Sequence, residues 1–129
     1  MLLDSTFLHD LVREDDDATT RLEELIRNNT PVAVSTLTVF EVGIGLQGAA
    51  KQYRKQFRAT VDELDEFPLG PTEARRALSI QRELSGRGER IGAVDVLIAG
   101  TAAERDDPRV LTRNVDEFER VDAITVQSY

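Results

Sequence analysis

Arg90-Ile-Gly-Ala-Val-Asp-Val-Leu-Ile-Ala-Gly100 is the least polar run in the chain, and one acid, Asp95, sits in the middle of it. Ile91, Val94, Ile98 and Ala102 recur at three- and four-residue steps, with Leu97 and Thr101 beside them. That spacing predicts a helix from about Gly92 to Glu104. Val96 and Ala99 leave little polar surface on its other sides, so the helix is expected to be covered nearly all round. An ionised carboxylate is costly to bury without a cation, a pair or hydrogen-bond donors. If Gly92 is the N-cap, Asp95 lies in the first turn, where backbone N–H groups and the helix dipole favour an acid by roughly 0.3–1 kcal/mol. The other reading is that Asp95 shares a cation with acids elsewhere in the chain.

Working outward, Arg109–Thr112 reads as a strand, Asp116–Arg120 as one helical turn and Ala123–Val126 as a last strand. On the other side, a helix opens at Pro71 or Thr72 and closes at Gly86 or Gly88, after a short strand at Phe67–Gly70. Ala49 to about Glu66 is a long helix with Tyr53, Phe57, Val61 and Leu64 facing inward. Val32–Ser35 is a strand of the buried type, running into a helix at Thr36–Leu46. Near the start, Leu2 and Leu3 form a short strand. A helix to about Val12, the acidic turn Glu14–Asp17 and a helix at Ala18–Asn28 follow. Short apolar strands alternating with helices of ten or more residues imply an α/β fold with a parallel sheet and helices on both faces.

At 129 residues the chain, 1–129, is expected to form a single domain. No run approaches the roughly 18 apolar residues that span a membrane, and the first residues do not read as a signal peptide, so the expected location is cytoplasmic. There is no Cys and one His, His9, which excludes thiolate metal sites and mechanisms built on two histidines. The net charge of −8 argues against a generic nucleic-acid binder. The basic residues are nearly all Arg, with Lys only at Lys51 and Lys55. An acid-rich, Lys-poor surface suits work in high salt, where surface charge is screened.

On this framework the isolated acids fall at strand ends. Asp4 ends the first strand, Glu41 lies in the helix entered from the second, Asp95 opens the central helix, and Asp116 and Glu117 follow the Arg109–Thr112 strand. Ligands of open parallel sheets bind outside the carboxyl ends of strands. Each acid also has a local explanation: Asp4 as an N-cap, Glu41 as the partner of Thr38 in a capping box, Asp116 as a cap and Glu117 as a solvated side chain. Together they predict a carboxylate cluster. Such a cluster needs a cation to offset its self-repulsion, and an all-oxygen site suits Mg²⁺ or Mn²⁺, ions that act on phosphates.

Leu2-Leu-Asp-Ser-Thr-Phe7, Ser35-Thr-Leu-Thr-Val-Phe-Glu-Val-Gly43, Ile91-Gly-Ala-Val-Asp-Val-Leu-Ile-Ala99 and Leu111-Thr-Arg-Asn-Val-Asp-Glu-Phe118, in this order and spacing, resemble the PIN-domain ribonucleases, and more closely the VapC-type toxins. The resemblance covers the chain nearly end to end. It implies a PIN-like three-layer α/β/α sandwich with a short parallel sheet flanked by helices. It also implies Mg²⁺- or Mn²⁺-dependent endoribonuclease activity as the toxin of a toxin–antitoxin pair, an RNA substrate, a small antitoxin partner and a homodimer. Asp4, Glu41 and Asp95 match the three core acids, with Asp4 and Asp95 the expected metal ligands. The fourth position falls among Asn114, Asp116 and Glu117, with Asp116 taken as catalytic and Glu117 as the alternative. Ser5 matches a small hydroxyl residue of the family and Thr112 and Asn114 match its polar site edge; with Arg113, which lies beside the fourth acid position, they are the expected substrate-binding residues. The competing reading is a catalytically degenerate PIN domain that serves as a protein-interaction module.

Two further expectations come from side-chain patterning. Phe40, Ile44, Leu46, Tyr53 and Phe57 exceed what one small core needs and predict a dimer interface. Arg75, Arg76, Arg82, Arg87 and Arg90, clustered before the central helix, together with Arg113, are the candidate phosphate-binding cations.

Overall fold

The computed structural model describes residues 1–129. The elements in chain order are β1 (Leu2–Leu3), α1 (Ser5–Val12), α2 (Asp16–Arg27), β2 (Ala33–Ser35), α3 (Thr36–Gly45), α4 (Lys51–Glu63), β3 (Asp65–Phe67), α5 (Pro71–Gly86), α6 (Ala93–Ala103), β4 (Arg109–Leu111), α7 (Val115–Phe118) and β5 (Thr125–Gln127). The five strands form one all-parallel sheet in the order β3-β2-β1-β4-β5.

Strand alternation divides the core into two layers. Leu2, Ala33 and Val110, in register across β1, β2 and β4, point to one face. There they meet Ala77, Ile80 and Leu84 of α5, Val96, Ile98, Ala99 and Ala102 of α6, and Phe118 of α7. Leu3, Val34 and Leu111 point to the other face, onto Phe7, Leu8, Leu11 and Val12 of α1, Ala18 and Leu25 of α2, and Val42 and Leu46. The result is the expected three-layer α/β/α sandwich. The central helix is buried at Val96 and from Ile98 through Ala102, as its composition requires.

Several boundaries differ from the sequence reading. β3 occupies Asp65–Phe67 rather than Phe67–Gly70, and α4 ends at Glu63 to make room for it. β3 is an edge strand paired only to β2, and its Asp65 and Glu66 are exposed, so it carries no buried apolar pattern to read. α2 starts within the acidic turn: Asp15 is its N-cap, accepting from the Ala18 N–H at 3.0 Å, and Asp16 and Asp17 lie in its first turn. Acids there face the positive end of the helix dipole. β5 starts two residues later than expected, at Thr125.

α5 and α6 pack with almost no space between them. A Cβ added at Gly100 would lie 2.8 Å from the Ala77 Cβ, the Ala77 backbone N and the Glu73 carbonyl oxygen. These atoms are backbone or fixed to it, so α5 must move to admit a methyl group. Gly100→Ala is expected to destabilise the fold by about 1–3 kcal/mol, despite the higher helix propensity of Ala. Urea unfolding checks this, and a variant as stable as the parent refutes the close packing.

Candidate metal centre

The site lies where the sheet reverses winding. β1 is central, with β2 reached on one side and β4 on the other, and the loops leaving β1 and β4 diverge over a crevice. Asp4 follows β1 directly and is 2 % exposed. Ser35 at the end of β2 caps α3 through its Oγ, which accepts from the Leu37 N–H at 2.9 Å, and α3 then carries Glu41 to the crevice. α6 brings Asp95 on its first turn. Thr112, Arg113 and Asn114 leave β4. An open cavity of about 460 Å³ is lined by Asp4, Ser5, Thr6, Glu41, Asp95 and Asn114, with His9, Asp10, Val42 and Arg113 around them.

Hydroxyls orient Asp4. Thr112 Oγ1 donates to Asp4 Oδ2 at 2.7 Å, and Thr6 Oγ1 donates to the same oxygen at 3.2 Å. Thr112 Oγ1 in turn accepts from the Asn114 N–H at 2.9 Å, and Thr6 Oγ1 from the Arg113 N–H at 3.0 Å. The other oxygen, Asp4 Oδ1, is buried with no hydrogen-bond partner. Leaving such a group unmatched costs on the order of 1–3 kcal/mol, and more for a charge. Burial raises the Asp4 pKa above its usual value, against the hydrogen bonds from Thr112 and Thr6.

The remaining acids are linked to the site by neighbours. Ser5 Oγ donates to Glu41 Oε2, so Glu41 is not in a capping box with Thr38; Ser35 is the cap instead. Asn114 Nδ2 donates to Glu117 Oε2 at 3.1 Å and lies 3.4 Å from Asp95 Oδ2. Burial first, then the hydrogen bond with Glu117 and the charges of Asp4, Glu117 and Glu41, push the Asp95 pKa up to about 7. The bond from Asp95, and then that from Asn114, lower the Glu117 pKa. Without a cation, Asp95 therefore holds the proton that Glu117 gives up.

Of the two candidates for the fourth acid, the structure brings in Glu117. Asp116 is exposed and makes no hydrogen bond or ion pair to the other acids. Thr6, His9 and Asp10 also face the cavity, on one side of α1. The sequence reading missed them; their signal was the helical spacing from Ser5 and Thr6 to His9 and Asp10. The arginines before the central helix do not reach the cavity. Arg87 is occupied by Glu83, Glu89 and Asp122 at 3.1–3.3 Å, Arg76 lies 3.9 Å from Glu104, and Arg90 is exposed away from the lining. Arg113 is the one arginine among the lining residues.

These donors fit a hard divalent cation. They are all oxygen, one is a buried carboxylate oxygen lacking a partner, and a cation would replace the proton that Asp95 keeps up to about pH 7. No three acid or imidazole groups close around one point. The fit is therefore to an ion that keeps part of its water, as Mg²⁺ does, with room for it in the cavity. Asp4 and Asp95 would be the direct holders, with Glu41 and Glu117 reaching the ion's water.

The PIN-domain family profile matches residues 1–124. No curated protein matches the sequence. Among solved structures, the chain is similar to one in VapBC2 from Rickettsia felis bound to a promoter DNA fragment, with a TM-score of 0.87 at 21 % identity, covering 99 % of this chain and 97 % of that one. It is also similar to a chain in DNA-bound VapBC from Salmonella typhimurium, with a TM-score of 0.80 at 21 % identity and coverage of 98 % and 96 %. A third match is in a toxin–antitoxin complex from Klebsiella pneumoniae, with a TM-score of 0.76 at 22 % identity and coverage of 96 % and 94 %. At these identities the matches establish the fold.

The raised Asp95 pKa sets a pH dependence for the metal-free protein. The folded state holds a proton on Asp95 that the unfolded chain releases near its ordinary value of 3.8. The stability from this group is therefore full below pH 4 and is lost as pH rises through about 7. In EDTA, thermal stability should fall as pH rises from about 4 to about 7, and Asp95→Asn should flatten that fall. A metal-free profile that Asp95→Asn leaves unaltered would contradict the assignment.

Proposed function

The chain belongs to the PIN-domain family, and from that premise we propose that it is a Mg²⁺- or Mn²⁺-dependent endoribonuclease acting as the toxin of a toxin–antitoxin pair. The observation that carries the nuclease reading is Asp4. It is a fully buried carboxylate with one oxygen fixed by two threonines and the other without a partner, in a cavity shared with Glu41 and Asp95. This arrangement is costly unless a cation is held there. The choice of RNA follows from the family resemblance, as does the small antitoxin. The similar chains of known structure come from VapBC and toxin–antitoxin complexes. The presence of all the expected acids disfavours the degenerate, interaction-only reading.

When bound, the ion supplies charge neutralisation for the scissile phosphate, its orientation and an activated water. The chain's own residues set the conditions for this. Thr112 and Thr6 hold Asp4 in one rotamer, with Oδ1 left for the ion. Asn114 spans Asp95 and Glu117, keeping both carboxylates at the mouth of α6. Ser5 holds Glu41. Asp95 must lose its proton to hold a cation, so metal affinity rises with pH through about 7. Asp95→Asn removes the charge and keeps the shape. It is expected to abolish EDTA-sensitive cleavage of single-stranded RNA while leaving the fold intact, and full cleavage by this variant overturns the metal assignment.

The homodimer belongs to the same proposal. Tyr53 and Phe57 of α4 are packed against the core, and Leu46 is buried, so they are not surplus. Phe40 and Ile44 are exposed by 66 % and 56 %, one turn apart on α3. An apolar stripe at that spacing is suited to a second helix. Light scattering at micromolar concentration should give a dimer mass for the parent and a monomer mass for Phe40→Asp/Ile44→Asp; a monomeric parent removes the dimer from the proposal.

A further inference from the structure

Arg113 is the one arginine at the carboxylate cavity, and we propose that Tyr129 is its positioning residue, holding the guanidinium at the rim where it receives an RNA phosphate beside Asp4. This inference rests on the nuclease reading above. Tyr129 itself does not line the cavity. Its ring stands edge-on to the fully buried Phe7 of α1, with centroids 4.8 Å apart and planes at 89°. The Arg113 guanidinium carbon lies 4.6 Å from the Tyr129 ring centroid, over its face. The Tyr129 hydroxyl donates to Asp10 Oδ2 at 2.7 Å, and that same oxygen lies 3.4 Å from Arg113 Nη1. Tyr129, Asp10 and Arg113 therefore close a triangle anchored to the core through Phe7.

The triangle is tied to the acids. The Arg113 N–H donates to Thr6 Oγ1, and Thr6 and Thr112 are the two hydroxyls that orient Asp4. The backbone of Arg113 is thus set relative to Asp4, and Tyr129 sets the far end of its side chain. Nη2 lies 3.0 Å from Asp15 and 3.5 Å from Asp17, both on the α1–α2 side of the rim. Asp17 is exposed, so its weak pairing is the one an incoming phosphate displaces most readily. A guanidinium held over an aromatic face is fixed in place, and once a phosphate displaces its exposed acid partner its N–H groups can bond that phosphate. The plainer reading is that Tyr129 only packs β5 against α1 and helps balance three acids. It predicts lost stability and no change in how RNA is held.

The test uses the full chain and a fluorescently labelled single-stranded RNA. It measures the Kd by anisotropy in Mg²⁺, KM and kcat for cleavage, Mn²⁺ affinity by calorimetry, and Tm. Tyr129→Leu is expected to weaken RNA binding roughly fivefold, the scale of one lost cation–π contact. KM should rise in parallel, with kcat and Mn²⁺ affinity nearly unchanged. In an Arg113→Ala background, Tyr129→Leu should add nothing, because both changes remove the same grip. A parental Kd in folded Tyr129→Leu, or a full extra loss on top of Arg113→Ala, overturns the proposal. If Tyr129→Leu does not fold, Tyr129→Phe decides. It frees Asp10 while keeping the ring and should weaken binding by a smaller factor, whereas a parental Kd overturns the proposal. A parent that binds RNA but leaves it uncut in both Mg²⁺ and Mn²⁺ ends the nuclease reading alone. A parent that binds no RNA ends this proposal.

Discussion

The hydrogen bond from Thr112 to Asp4 joins residues 108 positions apart, and the site depends on it. It exists because β1 and β4 pair in parallel, Leu2 with Val110 and Leu3 with Leu111, so the residues that follow each strand emerge side by side. The Asp4 N–H also donates to the Leu111 carbonyl at 3.0 Å, extending the ladder one step past the strand. The same register turns Leu2 and Val110 to one core layer and Leu3 and Leu111 to the other. A slip of one residue would therefore exchange the core faces and separate Asp4 from Thr112 together. Core and site share one specification, and the large apolar side chains of the core enforce the geometry of a small polar group.

That geometry opposes the electrostatics of the bare site. Asp4, Glu41, Asp95 and Glu117 are brought together in a partly buried place, and their mutual repulsion appears as the proton retained on Asp95. Burial dominates that shift, with the like charges adding to it. The helix dipole explanation for Asp95 is real but small. Asp95 does lie in the first turn of α6, yet its pKa is raised, whereas a dipole acting alone would lower it. The fold tolerates this because Ser5, Thr6, Thr112 and Asn114 supply donors to one oxygen of each acid, with Asp4 Oδ1 the buried oxygen left without a partner.

How much of this was legible in the sequence followed from burial. β1, β2 and β4 are short runs of Leu, Ala and Val covered on both faces, and their composition shows it. α6 was readable for the same reason. β3 was misplaced because an edge strand with two exposed acids has no apolar signature; only its pairing with β2 defines it. The core acids stood out because each is isolated in an apolar setting. Asp116 and Glu117 are adjacent, both solvated in part, and on a helix of four residues, where a rotation of 100° per residue decides which one faces Asn114. Nothing local in the sequence separates them. The role of Tyr129 was invisible for another reason: it depends on β5 lying next to β4 and on α1 crossing above, which are long-range facts.

Under the proposed function, local charge, rather than the net value of −8, governs how the chain would meet RNA. Four of the cavity's lining residues are acids and one is an arginine already within 3.5 Å of three carboxylates. Such a surface repels phosphate, so under the proposed function a divalent cation would bind before the substrate. With an ion held, Arg113 would become useful. Its acid partners Asp15 and Asp17 lie toward solvent, where a salt bridge is worth about 0–1 kcal/mol, so a phosphate near the ion can take their place. Salt weakens long-range repulsion between the acidic surface and RNA over a Debye length of about 8–10 Å, while contacts made inside the cavity are screened less. The proposed nuclease is then coherent with an acidic chain: the surface would exclude RNA at a distance, and the ion with one placed guanidinium would capture it at the site.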